Sequence, residues 1–278
     1  MKTRLVAMDL DGTLLGRDKK ISERNKRALL ACEKKGVMMV LASGRSFESV
    51  RELALGAGLS SPIISSNGTR VDESPNGVTL LEDTFPRDVS EQVYAIMKES
   101  GIYFVCYGHG KLFQNNLDGY GAQRGVNKAD AKPSDNDAYI LEVVQDEARM
   151  LNEGLEAPYK YVAFTTDEKR LAALKQTLIA KGVPCSISSS WHDNIEVVAF
   201  GAGKGKALRT LRERYGLSRE ETMAFGDNLN DLEMLTEAGI AVAMENAVDE
   251  VKRIAQVIAP HHDESGVAAI LEQIILGG

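Results

Sequence analysis

Two carboxylates, Asp9 and Asp11, stand two residues apart at the end of the apolar run Leu5-Val6-Ala7-Met8, and Gly12-Thr13 follow at once. This pattern describes a strand that breaks into a turn at its carboxyl end, where open α/β sheets place their ligands. A carboxylate is a poor nucleophile towards a phosphate dianion, because both are negative, and it needs a cation beside it. Asp9 can bind Mg²⁺ through one oxygen and attack phosphorus with the other. Asp11 can offer its backbone carbonyl to the metal and its side chain as a proton donor to the leaving oxygen. The competing reading is a plain turn, which Asp-Gly often marks. A turn, however, needs only one acidic residue.

Three further segments carry matching chemistry. Val37 to Ala42 is a second apolar run and ends in Ser43-Gly44-Arg45. A hydroxyl and exposed backbone N–H groups at a strand end suit a phosphoryl oxygen. Met223-Ala224-Phe225-Gly226 runs into Asp227-Asn228-Leu229-Asn230-Asp231, again a strand meeting an acidic turn. Asp227 would complete the carboxylate set of the metal, and Asn230 would hold a phosphate oxygen or a water. Asp231 would orient the ligands from behind or cap the helix that begins near Leu232; the two roles are compatible. Lys204 lies in Gly201-Ala202-Gly203-Lys204-Gly205-Lys206, just before a helical stretch. A lysine facing a nucleophilic aspartate and a phosphate neutralises charge that would block attack. A nucleotide-binding P-loop fails here. It needs Gly and Ser or Thr where this chain has Phe200 and Ala207.

In this order the four segments resemble the haloacid dehalogenase superfamily, and most of all its Cof-type, sugar-phosphatase-like branch with a large α/β cap. Ser66-Asn67-Gly68-Thr69 after Pro62-Ile63-Ile64, and Glu196 eight residues before Lys204, fit the same branch. Ser43 stands where many members have Thr, and Ala199 where many have Pro. The resemblance implies that Asp9 becomes an aspartyl-phosphate and that Asp11 is the general acid/base. It implies that Asp9, the Asp11 carbonyl and Asp227 hold Mg²⁺, with Asp231 behind them. It assigns Ser43, Gly44, Lys204 and Asn230 to the phosphate, with Arg45 either a further contact or the partner of a nearby acid. Transport ATPases of the superfamily carry Thr where this chain has Asp11. A carboxylate there fits rapid hydrolysis. The implied activity is phosphatase action on small phosphorylated metabolites. A phosphomutase or phosphotransferase would use the same chemistry, and a regulatory protein phosphorylated on Asp9 is a more distant alternative.

Composition agrees with a globular enzyme: 278 residues, 44% hydrophobic, 26% charged and a net charge of −7. That charge argues against general affinity for nucleic acid or membranes. Three cysteines, with no CxxC, read as reduced thiols in a cytoplasmic setting. No signal peptide is expected before so early a strand, and no apolar run approaches the roughly 20 residues of a membrane helix. A monomer or small homo-oligomer is expected.

To position these residues the chain needs a doubly wound, mainly parallel, Rossmann-like α/β core interrupted by an insertion. Strand and helix signals alternate from Arg4 to Ser66 and again after Lys204. The core is expected over 1–85 and 201–278, with an inserted α+β cap over 86–200. Helices are expected after the caps Ser22 and Asp88 and from Asp167 to Ala180, and a hairpin around Ser74-Pro75-Asn76-Gly77. In the insert, Ile102–Tyr107 and Lys111–Gln114 read as paired strands, while Asn115 to Asp137 resists assignment. A cap of this kind chooses the leaving group; its candidate substrate contacts are Tyr107, His109, Arg124, Trp191 and His192. His261-His262-Asp263 looks like a metal cluster, but adjacent histidines on a loop diverge, so a surface loop beside the site is expected.

Overall fold

The computed structural model describes residues 3–115, 141–191 and 193–277. The chain divides into two compact units, Met1–Glu82 with Gly203–Gly278, and Asp83–Ala202. The changeovers fall at 82/83 and 202/203, so Phe85 packs in the core of the second unit.

The first unit is an eight-stranded sheet. Its strands are β1 (Leu5–Met8), β2 (Met38–Ala42), β3 (Ile63–Ser65), β4 (Arg70–Asp72) and β5 (Thr79–Glu82), then β12 (Thr222–Gly226), β13 (Ile240–Met244) and β14 (Val257–Ala259). Their order is β14-β13-β12-β1-β2-β3-β4-β5. The pairs from β14 to β3 are parallel, and the β4–β5 hairpin closes one edge antiparallel. Alternation decides the layers. Val6 and Met8 pack with α1 (Glu23–Lys34) and α2 (Phe47–Ala57) on one face. Leu5 and Ala7 pack with Ala207, Leu208 and Leu211 of the helix Lys204–Arg214 on the other. Burial on both faces explains why β1 reads as continuously apolar. Both faces being covered makes the core doubly wound, and β1 sits at its centre.

The second unit is a six-stranded sheet in the order β10-β11-β9-β6-β7-β8. It comprises β6 (Tyr103–Tyr107), β7 (Lys111–Gln114), β8 (Glu142–Val144), β9 (Lys160–Phe164), β10 (Cys185–Ser188) and β11 (Asn194–Ala199). One face carries Phe104, Cys106, Tyr161, Ala163, Ile195 and Val197, packed against α3 (Arg87–Glu99) and α4 (Glu168–Ala180). Helix α3 differs from expectation at its start. Pro86, not Asp88, is its N-cap, and Asp88 lies in the first turn, where its charge suits the dipole. β8 lies parallel to β7, a pairing no local signal announces. Most of the unassigned stretch, residues 116–140, lies outside the described residues, as do Arg124 and His192. Among the described residues no helix is long and apolar enough to cross a membrane. Cys32, Cys106 and Cys185 are free.

Candidate active site

The site forms where β1 and β12 end side by side. Asp9 follows β1, donates its N–H to Phe225 O at 3.1 Å, and is buried. The chain then folds back on itself: Thr13, Leu14 and Leu15 all donate to Leu10 O. Gly12 sits at φ 87°, where a Cβ would lie 2.4 Å from Asp227 Oδ2, so conformation and space both require glycine. Next to it, Thr13 Oγ1 donates to Asp227 Oδ1 at 2.7 Å.

Lys204 is the first residue of its helix, an unfavourable place for a cation against the helix dipole. Two carboxylates compensate. Its fully buried Nζ donates to Asp9 Oδ1 at 2.5 Å and Asp231 Oδ1 at 2.7 Å. Asp231 is fixed in turn, because its Oδ2 accepts the N–H groups of Asp227 and Asn228 at 3.0 and 3.1 Å. The expected cap at Asp231 therefore works backwards. Asn228 is the capping residue, and Asp231 closes the box by reaching back to the Asn228 N–H. Carboxylate oxygens of Asp9, Asp227 and Asp231 lie within 4.8 Å of one another.

Charge inside this cluster is unbalanced. Burial pushes the Asp9 carboxyl up to about 7; Lys204 pulls it down, while Asp231 and Asp11 add to the rise. Burial also lifts Asp227 well above the carboxylate range, reinforced by Asp9 and Asp231. For Lys204, burial favours the neutral amine, but Asp231 and Asp9 outweigh it and hold the ammonium charged. One cation among three acids leaves room for another positive charge.

Asp11 faces a different partner. Arg45 grips it bidentately, Nε to Oδ2 at 2.7 Å and a terminal nitrogen to Oδ1 at 2.8 Å, and Lys19 Nζ adds a contact at 2.8 Å. Burial would raise its pKa, yet Arg45 and Lys19 bring it down to about 2. Of the two roles open to Arg45, the structure displays the pairing with an acid. Two backbone donors expected for a phosphoryl oxygen are also engaged: Ser43 N–H bonds Ile64 O at 2.9 Å and Arg45 N–H bonds Ser43 Oγ at 3.2 Å. Asn230 Nδ2 donates to Asn67 Oδ1 at 3.4 Å.

The loop below Asp11 is held by the far end of the chain. Asn246 Nδ2 donates to Gly12 O at 2.8 Å, and His262 Nδ1 to Leu15 O at 2.7 Å. Asp263 receives Arg17, through its backbone N–H and its guanidinium. Contrary to expectation the two histidines do not diverge: their ring centroids are 4.5 Å apart, and ligand atoms of His261, His262 and Asp263 lie within 4.8 Å of one another, while the trio clasps the residue 10–17 loop. Asn246 and Lys19 carried no motif signal; neither spacing nor type sets them apart from other surface polar residues.

In the second unit, strand register places Tyr103, Phe164 and Asn194 in one row, Val105, Val162 and Glu196 in the next, and Tyr107, Lys160 and Val198 in a third, on the face opposite the helices. Tyr107 is buried, with Lys160 Nζ 4.3 Å from its ring centroid. Lys160 and Glu196 are themselves buried, 3.8 Å apart, and Ser190 Oγ donates to Glu196 Oε1 at 3.1 Å. His109 meets Tyr159 through Nδ1 and the hydroxyl at 2.9 Å. Trp191 stands on the β10–β11 turn, half exposed, its N–H donating to Asn194 Oδ1. Lys160 escaped the sequence reading. Its only signal is a lysine at a buried position of an otherwise apolar strand.

The haloacid dehalogenase-like hydrolase family model matches residues 6–271. The chain belongs to this family. As a haloacid dehalogenase-like hydrolase it is 29% identical to the 5-amino-6-(5-phospho-D-ribitylamino)uracil phosphatase YwtE of Bacillus subtilis (strain 168), covering 99% of each chain. It is also 29% identical to the pyridoxal phosphate phosphatase YbhA of Escherichia coli (strain K12), over 98% of each. A haloacid dehalogenase-like hydrolase from Bacteroides thetaiotaomicron, solved by crystallography, superposes with a TM-score of 0.82 at 29% identity, over 98% of this chain and 100% of that one. The solved hydrolase shares the mixed α/β fold, and the two curated relatives are phosphatases.

Proposed function

We propose that this hydrolase is a Mg²⁺-dependent phosphatase of small phosphorylated metabolites that works through an aspartyl-phosphate on Asp9. The observation that carries the reading is the Lys204 ammonium set between Asp9 and Asp231, with Asp227 alongside. The residues present fit Mg²⁺. The donors are all oxygens, as a hard cation prefers, and Asp9 and Asp227 are both lifted by burial, with neighbouring acids adding to the rise. Asp9, Asp227 and the Asp11 carbonyl would hold it, with Asp231 steadying Asp227 from behind. When bound, Mg²⁺ offsets the repulsion between Asp9 and the phosphate and polarises a phosphoryl oxygen.

The rest is the work of this chain's own groups. Lys204 favours the ionised form of Asp9 against the pull of burial and aims it. An Asp9 oxygen attacks phosphorus, and the bond to the leaving oxygen breaks. Asp11 gives that oxygen a proton. Water then attacks the aspartyl-phosphate, Asp11 takes the water's proton, and the Asp9–phosphorus bond breaks to release orthophosphate. As it stands, ionised by Arg45 and Lys19, Asp11 is ready as the base of the second half. For the first half it must leave Arg45 and take up a proton from solvent, and the attacking water of the second half restores that proton.

Selection of the leaving group falls, in this reading, to the inserted unit. Its buried Tyr107, Lys160 and Glu196, on neighbouring rows of the sheet, combine an aromatic face with both charges, as polar small-molecule sites do. YwtE and YbhA act on different phosphate esters at the same identity to this chain, so the similarity names a substrate class and not a substrate. The test is phosphate release across a panel of phosphorylated metabolites, wild type beside Asp9→Asn. Wild type should release phosphate with water as sole acceptor, and the variant should lose at least about a thousandfold while folding normally. More than a tenth of the turnover left in Asp9→Asn would end the mechanism.

A further inference from the structure

Immediately after β3 the backbone enters the left-handed region for three residues in succession: Ser66 at φ 48°, Asn67 at 60° and Gly68 at 86°. Only the last is glycine. Two non-glycine residues held there, both buried, are a local strain that persists only when the surroundings over-determine it. The surroundings are three of the four motif segments. Ser66 N–H donates to Arg45 O at 2.7 Å, and Asn67 N–H to Ser43 O at 2.9 Å. Asn67 Oδ1 accepts the Asn230 amide at 3.4 Å. Gly68 lies so close to the start of the Lys204 helix that a Cβ would sit 2.3 Å from Gly203 O and 2.6 Å from Lys204 N. Thr69 Oγ1 locks the turn by donating to Ser66 O at 2.9 Å.

We infer that Asn67 is a positioning residue for phosphate capture, holding the Asn230 amide from a strained turn that is keyed to the Ser43 and Lys204 segments. The inference rests on reading Asn230 as a phosphate contact. The physical logic is that Asn230 stands half-buried on a short turn and has two side-chain torsions to fix. One amide hydrogen given to Asn67 fixes the plane of the group and leaves its other hydrogen aimed. Asparagine suits position 67 because it tolerates the left-handed backbone better than other side chains. Glycine would tolerate it better still, but would carry no acceptor.

That difference makes the test. Asn67→Gly suits the backbone and deletes only the acceptor, so its Tm should stay within a few degrees of wild type. With acetyl phosphate and Mg²⁺, its kcat/KM should fall roughly tenfold and inhibition by orthophosphate should weaken by a similar factor, as expected for one misplaced hydrogen bond to an anion. In an Asn230→Ala background the same change should have almost no further effect, because its target is already gone. Additive losses in the double variant would overturn the inference, as would an unchanged orthophosphate inhibition constant. A melting point more than about ten degrees below wild type would make the turn a folding element and sink it equally. Orthophosphate binding measured by calorimetry on the same proteins separates the two readings. If wild type hydrolyses nothing, the phosphatase reading fails, yet a roughly tenfold weaker orthophosphate affinity in Asn67→Gly still upholds the positioning role. An equal affinity, or none in wild type, refutes it.

Discussion

Replacing Lys204 by methionine keeps the length and flexibility of the side chain and removes its charge. In the structure that charge serves two buried carboxylates at 2.5 and 2.7 Å. At an effective dielectric of about 20, each contact is worth roughly 6 kcal/mol of gross Coulomb energy. Much of this offsets the desolvation of the ammonium, and breaking one buried pair nets about 3–5 kcal/mol. At pH 8 in EDTA, Lys204→Met should therefore unfold about 3–5 kcal/mol more easily. At about 2–4 °C per kcal/mol, that is roughly 6–20 °C in Tm. The pH dependence has a definite sign. Burial and neighbouring acids already raise Asp9 to about 7, and losing the ammonium raises it further. A carboxyl raised in the folded state binds protons there that the unfolded chain does not bind until near pH 4. Stability of the variant must then rise as the pH falls from 8 towards 5, and the deficit against wild type must shrink. Thermal unfolding of both proteins at pH 8 and 5.5 is the assay. A variant within about 2 °C of wild type at pH 8, or a deficit that grows on acidification, would refute the charge distribution described for Asp9, Lys204 and Asp231.

Chelation by EDTA should abolish turnover and Mg²⁺ restore it, whereas Ca²⁺, with its longer bonds and larger ligand number, should inhibit; full activity in metal-free buffer with EDTA would count against the metal. Asp11→Asn should cut turnover sharply, and less so for nitrophenyl phosphate than for alkyl phosphates, whose leaving oxygens need the proton more; equal losses would restrict Asp11 to activating water. Lys160→Met and Glu196→Gln should reorder rates among phosphorylated metabolites while changing acetyl phosphate hydrolysis less than about threefold; an unchanged ranking would remove the inserted unit's sheet face from substrate choice.

Much of the core was legible because its signals are local. Four apolar runs ending in acidic or small polar turns mark where strands deliver their side chains, and the sheet brings Asp9, Lys204, Asp227 and Asp231 together. What was hidden depends on distance. The grip of Arg45 on Asp11 spans 34 residues and follows from the direction in which the turn after β2 throws a long side chain. The Asn246 and His262 contacts to the residue 10–15 loop join the two ends of the chain, and nothing in either segment announces the other. Lys160 drew no reading from the sequence, and only sheet register shows it buried beside Tyr107. The start of α3 was misplaced by proline chemistry. Pro86 presets the backbone that enters the helix, so Asp88 need not cap it.

The pairing of β1 with β12, Leu5 opposite Thr222, has a consequence for biosynthesis. β1 leaves the ribosome long before one of its two neighbours in the sheet, which is translated 217 residues later. At about 5–20 residues per second, one edge of β1 waits roughly 10–40 s for its partner. The contacts of the second unit are nearer in sequence, with Tyr103 of β6 pairing with Phe164 of β9. The insertion can therefore fold while the nascent core is still open. Asp9 is made well before Lys204, Asp227 and Asp231, so a chain stalled between them carries Asp9 without the groups that balance and orient it.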